Sequence, residues 1–341
     1  EVWASATIYD KFGRPAINTL SAPTGKDRIE YQSNFVRNTS GQAYGPSDFD
    51  GNKLNSPNAV GEQLNTLGWW YSTQNNREDW QPTTNFPYIR KDYSDLTGEV
   101  RRTTVPGDAM HLGTGRAKKS FTMPAGTELS YVFGPYSPLC RLAGLSSYDY
   151  GTLSNQCSSI GFIPRYIKKV TKDPDGRETV IFYDVNGNEV AHALAGDPTS
   201  AATTELRQTY FNVPKSSFQD IHVSQRASES TPINFSGSGM NYSIYDLETD
   251  LPVVLNSSSA SRSLAAGFYR VVNNNSSNPL LFDYQLNYQD YSLYIYDKSN
   301  RQVASVAPND VVYTIVSSPG SNHKAYTLYR HNSIGQLVWE Q

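Results

Sequence analysis

A short turn motif recurs along this chain and restricts what the chain can fold into. In each copy, Asp or Asn is followed three residues later by Gly, or once by Asn, between residues typical of β-strands. The copies lie at 9–14, 94–100, 173–177, 183–188, 294–301 and 329–337. Because the intervals between copies are irregular, a solenoid of fixed period is excluded.

The motif has a physical cause in the geometry of a tight β-hairpin. Asp at the first turn position accepts a hydrogen bond from the backbone two residues further on. The fourth residue then takes a left-handed conformation, which Gly adopts at low cost and Asn tolerates next best. We therefore expect the turns to be set by Asp10, Asp95, Asp184 and Asp297. We expect left-handed backbone at Gly13, Gly98, Gly187, Asn300 and Gly335.

The composition also indicates an all-β fold. The 341 residues include 24 Tyr but only 3 Met, and Tyr suits half-exposed strands. Strands are predicted at 170–171, 178–183, 189–193, 268–273, 291–296, 311–316 and 325–331. The best helix candidate is a two-turn segment at 201–208, and Gly or Pro interrupts every longer one.

Charge and hydropathy exclude two classes of partner. With a net charge of −3, the protein surface as a whole cannot bind nucleic acid or anionic lipid by electrostatic attraction. No apolar run approaches the ~20 residues of a membrane-spanning helix. The sequence starts directly in a strand pattern, without the basic and apolar regions of a signal peptide, and finishes in another. We therefore expect it to be a piece of a longer protein.

The turn motif lapses in one part of the chain, and this predicts an insertion. Between Phe211 and Asp290 a Ser/Asn-rich stretch with short strands replaces it. We interpret the chain as a hairpin sheet with long loops at 1–205, an inserted β-sandwich-like module at 206–290 and a return to the hairpin strands at 291–341.

The recurring element resembles the YD repeats of Rhs-type proteins. The segments that carry the resemblance are YDKFGRP at 9–15, FYDVNGNEVAHALAG at 182–196, YIYDKSNRQVASVAP at 294–308 and YRHNSIGQLVWEQ at 329–341. The stretches between them are similar to the non-repetitive part of very large secreted Rhs-like proteins of gliding bacteria. The motif-bearing segments cover about a quarter of the chain.

The resemblance implies an architecture and a location. Rhs-type proteins form a β-sheet ribbon that spirals into a hollow shell, which encloses a toxin or presents a variable C-terminal module. The implied place is outside the cell or on the bacterial outer surface, with type IX secretion as a route, and the implied partner is the rest of a larger polypeptide or a surface assembly. The self-cleavage segment of the family is absent, so this activity is not carried over.

Residue patterns of catalysis are missing, so we expect a non-catalytic protein without a cofactor or metal. There is no Gly-x-Ser-x-Gly elbow, and the five His lack metal-ligand spacing. Acidic pairs such as Asp173 and Asp175 fit turn positions better than a glycosidase pair. The Asp184-x-Asn186-x-Asn188 run imitates the start of a calcium loop, but Gly187 falls at its fourth position rather than its sixth.

Two smaller features keep alternatives open. Cys140 and Cys157 are either one disulfide in an oxidising compartment or two unrelated thiols. Trp69, Trp70 and Trp80 either pack a long loop onto the sheet or stack on sugar rings. The second interpretation supports an alternative function as a cell-surface adhesin or glycan-binding module.

Overall fold

The computed structural model describes residues 1–50, 57–78, 80–108, 116–126, 128–129, 166–195, 207–224, 230–286, 288–297, 299–311, 325–332 and 334–340. The chain divides into two compact units, one of Glu1–Ser120 with Lys172–Gly176 and the other of Phe121–Thr171 with Arg177–Gln341. Nearly all regular structure in the described residues is antiparallel β, which confirms the all-β part of the prediction. None of the described helices is long and apolar enough to span a membrane.

The first unit contains short strands and two single-turn helices. Its elements are β1 (Trp3–Ala4), β2 (Thr7–Tyr9), β3 (Pro15–Thr19), β4 (Ala22–Pro23), α1 (Pro46–Phe49), α2 (Leu67–Trp70), β5 (Tyr88–Tyr93), β6 (Val100–Thr103) and β7 (Lys118–Pro124), whose last residues belong to the second unit. Strands β2, β3, β5, β6 and β7 are neighbours in that order, and β1 pairs with β4. Ile17, Leu67, Trp70 and Tyr88 are buried in the core that this sheet shares with its long loop.

The second unit begins with a sheet of hairpins. The strands are β8 (Ile167–Lys172), whose last residue belongs to the first unit, β9 (Glu178–Tyr183), β10 (Glu189–Ala195), β19 (Tyr288–Tyr296), β20 (Gln302–Val306), β21 (Thr327–His331) and β22 (Leu337–Glu340), with a 3-10 turn at Pro308–Asp310. They are neighbours in this order. Side chains alternate along β9, where Val180 and Phe182 are fully buried, as expected of a strand with one covered face.

Eight further strands of the second unit form a module between β10 and β19. They are β11 (Arg207–Val213), β12 (Phe218–Val223), β13 (Thr231–Ser236), β14 (Tyr242–Asp246), β15 (Pro252–Ser257), β16 (Ser261–Leu264), β17 (Gly267–Asn273) and β18 (Leu280–Leu286). They make two four-stranded antiparallel sheets, ordered β11-β18-β13-β16 and β12-β17-β14-β15. The two sheets touch through a stacked pair, Phe235 on β13 and Tyr242 on β14, whose ring centroids are 4.0 Å apart.

The chain leaves and re-enters the hairpin sheet at adjacent positions. Ala195, the last residue of β10, is the register partner of Tyr288, the first residue of β19. The return strand therefore starts at Tyr288, and the expected boundary between 290 and 291 falls inside β19. The predicted helix at 201–208 is wrong at its C-terminal end, because Arg207 and Gln208 pair with β18 as the start of β11. Residues 201–206 lie outside the described part of the chain.

Candidate functional site

The first hairpin shows how the recurring motif works. Asp10 Oδ1 accepts hydrogen bonds from the backbone N–H groups of Phe12 and Arg14, at 2.9 and 2.8 Å. The Gly13 N–H donates to the Asp10 carbonyl, and the φ of Gly13 is +78°. Asp10 Oδ2 accepts from Arg14 Nε at 2.6 Å. One carboxylate therefore fixes both the turn and the side chain that follows it, which accounts for the Asp-x-x-Gly-Arg pattern.

Hydrogen bonding also sets the charge of this turn. Burial alone would raise the pKa of Asp10, but hydrogen bonds from the backbone and side chain of Arg14 and from the Phe12 N–H together lower it below its usual value. The pKa of Asp297 is lowered in the same way, since hydrogen bonds from Arg301 and the Ser299 N–H outweigh its slight desolvation. Both carboxylates are therefore held in the ionised form.

The same geometry recurs at other positions of the sheet. Asp184 accepts from the N–H groups of residues 186 and 188, Asp297 from those of 299 and 301, and Asn332 from those of 334 and 336. The fourth residues have positive φ: 84° at Gly187, 59° at Asn300 and 87° at Gly335. An amide oxygen thus replaces the carboxylate at Asn332 without a change of turn.

One expected turn residue is misplaced, and two similar turns were not predicted. At 94–99 the Ser94 hydroxyl, not Asp95, accepts from the N–H groups of Leu96 and Thr97, because this loop is one residue longer; Gly98 still has a φ of +74°. The additional turns start at Asn38, where Gly41 is left-handed, and at Asp246, whose loop has the longer form. A search for Asn-x-x-Gly would have found the turn at Asn38.

Successive turns are tied to one another by side chains. In the first unit, Arg14 lies over the ring of Tyr93 at 4.5 Å, and its Nη2 is 3.6 Å from Asp95 Oδ1. Asp95 therefore links its own turn to a neighbouring one.

The second unit repeats this arrangement with other residues. Asn300 Oδ1 accepts from the side-chain amides of Asn186, at 3.2 Å, and Asn188, at 3.1 Å. Arg301 Nη1 in turn reaches the Asn332 carbonyl at 3.5 Å. The turns at 184–187, 297–300 and 332–335 therefore form a row at one end of the strands. We call this row the turn row.

The three tryptophans considered for sugar binding separate into two groups. Trp69 and Trp70 are buried, and Trp70 packs edge to face on Trp3 with 5.4 Å between ring centroids. Their burial favours the interpretation that both rings pack the long loop onto the sheet. Trp80 is different, since 77% of the residue is exposed.

The remaining sequence candidates provide no metal or redox site in the described residues. Cys140 and Cys157 lie outside the described part of the chain. No group of three or more His, Cys, Asp or Glu within the described ranges could hold a metal ion. The carboxylate of Asp184 accepts hydrogen bonds within its own turn, where its second oxygen accepts one from Asn188 Nδ2.

A buried chain of ionisable side chains, which the sequence did not predict, lies in the second unit. Lys168 Nζ donates to Glu128 Oε1 and, at 2.9 Å, to the Tyr288 hydroxyl. The same hydroxyl is 2.8 Å from His222 Nδ1, and His222 Nε2 is 3.0 Å from Glu178 Oε2. All five residues are at most 3% exposed. We call this set, Glu128, Lys168, Tyr288, His222 and Glu178, the buried relay.

Four different strands and one loop build the buried relay. Lys168 lies on β8, Glu178 begins β9, His222 lies on β12 and Tyr288 begins β19, while Glu128 follows β7. One signal could have revealed part of it. Lys168 shares a strand face with the fully buried Val170 two residues later, so alternation points its side chain inward.

Burial perturbs the ionisation of the relay. Desolvation raises the pKa of Glu128 to about 7, an effect that the charge and hydrogen bond of Lys168 partly offset. Desolvation lowers the pKa of Lys168, again partly offset by Glu128. Burial also raises the pKa of the Tyr288 hydroxyl, so that it stays protonated. Burial thus shifts both Glu128 and Lys168 toward their neutral forms.

Comparisons with known proteins do not identify a family. No protein-family model matches the sequence, and no curated protein does. Among solved structures, a sugar phosphate isomerase of the cupin superfamily from Silicibacter pomeroyi aligns over 39% of this chain and 81% of its own, at 9% identity and a TM-score of 0.18. A TM-score this low supports no inference about fold or activity.

Proposed function

We propose that this chain is a non-catalytic wall segment of a larger exported Rhs-like protein, whose β shell encloses or presents a C-terminal effector or surface module. The observation that carries the proposal is the turn row. Hairpins that repeat one turn geometry, and whose turns are linked by side-chain hydrogen bonds, can be added one after another in one direction. A wall needs this property, and none of its parts requires a bound substrate.

The exposed edge strand β22 supports the proposal that the sheet continues into a larger wall. Strand β22 pairs with β21 on one side, and within the described residues no strand covers its other side. Leu337, Val338 and Trp339 are 52, 60 and 42% exposed. An unpaired edge that displays apolar side chains favours association with another strand. In our proposal the rest of the same polypeptide supplies that strand, and the module at 207–286 is a β-sandwich carried by the wall.

Electron cryomicroscopy of the protein purified from its source tests the proposal. We expect a chain longer than this sequence, with a further strand along β22 and a sheet that curves around a cavity. A source protein whose β22 edge meets solvent, with no enclosed space, would overturn it.

A second function, surface adhesion through glycans, is favoured by one observation, the exposed ring of Trp80. An aromatic face open to solvent can stack on a sugar ring. A glycan array compares the unaltered chain with Trp80→Ala and with Phe12→Ala as a matched control, since Phe12 is another exposed aromatic, at 61%. Binding that Trp80→Ala abolishes and Phe12→Ala retains would support adhesion, and an array without signal would reject it.

A further inference from the structure

The buried relay places an amine against a carboxyl group inside the protein. Lys168 Nζ contacts Glu128 Oε1, and both side chains are fully shielded from solvent. The second carboxyl oxygen of Glu128, Oε2, is buried and has no hydrogen-bond partner among the described residues. An ionised carboxylate would leave the charge on that oxygen without a hydrogen-bond donor in an apolar site, so the neutral acid is favoured.

The hydrogen-bond directions in the rest of the relay follow from the tautomer of His222. We assign the neutral tautomer that donates from Nε2 to the Glu178 carboxylate and leaves Nδ1 as an acceptor. Tyr288 then donates its hydroxyl proton to Nδ1, and its oxygen accepts from Lys168 Nζ. A carboxylate that orients a histidine, which in turn draws a proton from a hydroxyl, is the arrangement of a general base. Here the base faces the lysine amine.

We propose that Lys168 and Glu128 condense into an intramolecular amide, an isopeptide cross-link, with release of one water molecule. The lone pair of Nζ attacks Glu128 Cδ and forms the C–N bond, while the electron pair of the C=O π bond moves to Oε1 and returns when water leaves. Nζ loses a proton to the Tyr288 oxygen while Tyr288 passes its own proton to His222. The reverse transfer delivers that proton to the departing Oε2 hydroxyl, the C–O bond breaks, and water leaves. No oxidant, reductant or cofactor takes part.

Physical chemistry favours this reaction at this site. Two groups held in contact by a folded protein react as if present at an effective concentration on the order of 10⁵ M or more. The amine must be neutral to attack, and burial lowers the pKa of Lys168 while raising that of Glu128 toward its acid form. The product is a neutral amide, so the buried site no longer contains two ionisable groups.

Intact mass spectrometry of the unreduced, denatured 341-residue chain tests the proposal directly. We expect a mass lower than the calculated one by one water, and a branched peptide that joins the segments containing Glu128 and Lys168. Lys168→Arg keeps the positive charge but should have its full calculated mass. Lys169→Arg, at the exposed neighbouring position, should still lose one water. Folded protein that keeps its full mass after prolonged incubation at neutral pH would overturn the proposal.

A second variant tests the relay separately from the fold. Tyr288→Phe keeps the ring but removes the hydroxyl that contacts the amine. We expect cross-linking after refolding to slow by at least about a hundredfold, the lower end of what a general base contributes, while the circular dichroism spectrum stays unchanged. Cross-linking at the unaltered rate in a folded Tyr288→Phe protein would overturn the role of the relay.

Discussion

The side-chain amide of Asn188 donates to Asn300 Oδ1 over 3.1 Å, although 112 residues separate the two positions in the chain. Both residues belong to hairpin turns, and Asn300 is itself the left-handed residue of its turn. The residue that the turn geometry requires is thus also the residue that connects one hairpin to the next.

This connection should be measurable as a coupling energy. Asn300→Gly keeps the left-handed backbone but removes the acceptor, and Asn188→Ala removes a donor. In a double-mutant cycle followed by urea denaturation, we expect a coupling of about 0.5 kcal/mol, typical of a partly exposed polar contact. Asn332→Ala with Asn188→Ala is a suitable control pair, because these two side chains share no hydrogen bond. A coupling as large in the control would contradict the direct contact.

Substitution of Gly187 should test its backbone conformation alone. A Cβ added there meets no heavy atom within 4 Å, so the cost arises from the φ of +84°. We expect Gly187→Val to lower the free energy of unfolding by about 2 kcal/mol, since a branched side chain resists the left-handed region. Gly187→Asn should cost less than half of this, because Asn300 occupies the equivalent place. Equal losses in the two variants would be inconsistent with a conformational cause.

The capping role of Asp184 should depend on an oxygen rather than on a charge. Asp184→Ala removes the acceptor for two backbone N–H groups, and we expect a loss of about 1 kcal/mol in thermal denaturation. Asp184→Asn should cost less than about 0.5 kcal/mol, because Asn332 holds the same turn with an amide. If the Asn variant were as unstable as the Ala variant, the charge would be the important feature.

Acid should weaken the first hairpin. The pKa of Asp10 is lower in the folded protein than its unfolded value near 3.8. The stabilisation is therefore complete above the unfolded value and is lost as the pH falls through the folded one. We expect the melting temperature to fall below about pH 4 and to fall less in Asp10→Asn, which has no charge to lose. Parallel melting curves for both proteins down to pH 2 would count against the effect.

Substitution of a buried tryptophan should lower stability far more than substitution of an exposed one. Trp70→Ala removes a ring from the core, and we expect a loss of about 3–5 kcal/mol in the free energy of unfolding. Trp80→Ala should change it by less than about 0.5 kcal/mol, because the ring is exposed. Chemical denaturation monitored by circular dichroism gives both values. A large loss in Trp80→Ala would show that its ring packs against the protein.

The turns could be predicted because their signal is local. Asp-x-x-Gly specifies a hydrogen bond and a backbone conformation within four residues, and β9 follows directly from alternation. The choice between Ser94 and Asp95 was beyond the sequence, since both are polar neighbours and the loop length decides which one caps. For Trp69 and Trp70 the sequence left both interpretations open, and only burial separates them.

The buried relay could not be predicted as a set. Its members extend from Glu128 to Tyr288, and each is an ordinary residue in its own segment. Their proximity depends on the return of β19 beside β10 and on the packing of β12, which are long-range pairings. Alternation with Val170 marks Lys168 as inward-facing, but it gives no indication of which carboxylate the lysine meets.

The pairing of Ala195 with Tyr288 has a consequence for how this protein can diversify. A segment that departs and returns at register partners leaves the alignment of the surrounding hairpins unchanged, whatever its length. The entropy of closing such a segment rises only with the logarithm of its length. Insertions and replacements within residues 207–286 can therefore arise in evolution without a change in the strand alignment of the sheet. His222, which reaches from this module to Glu178 and Tyr288, marks a position where that freedom is restricted.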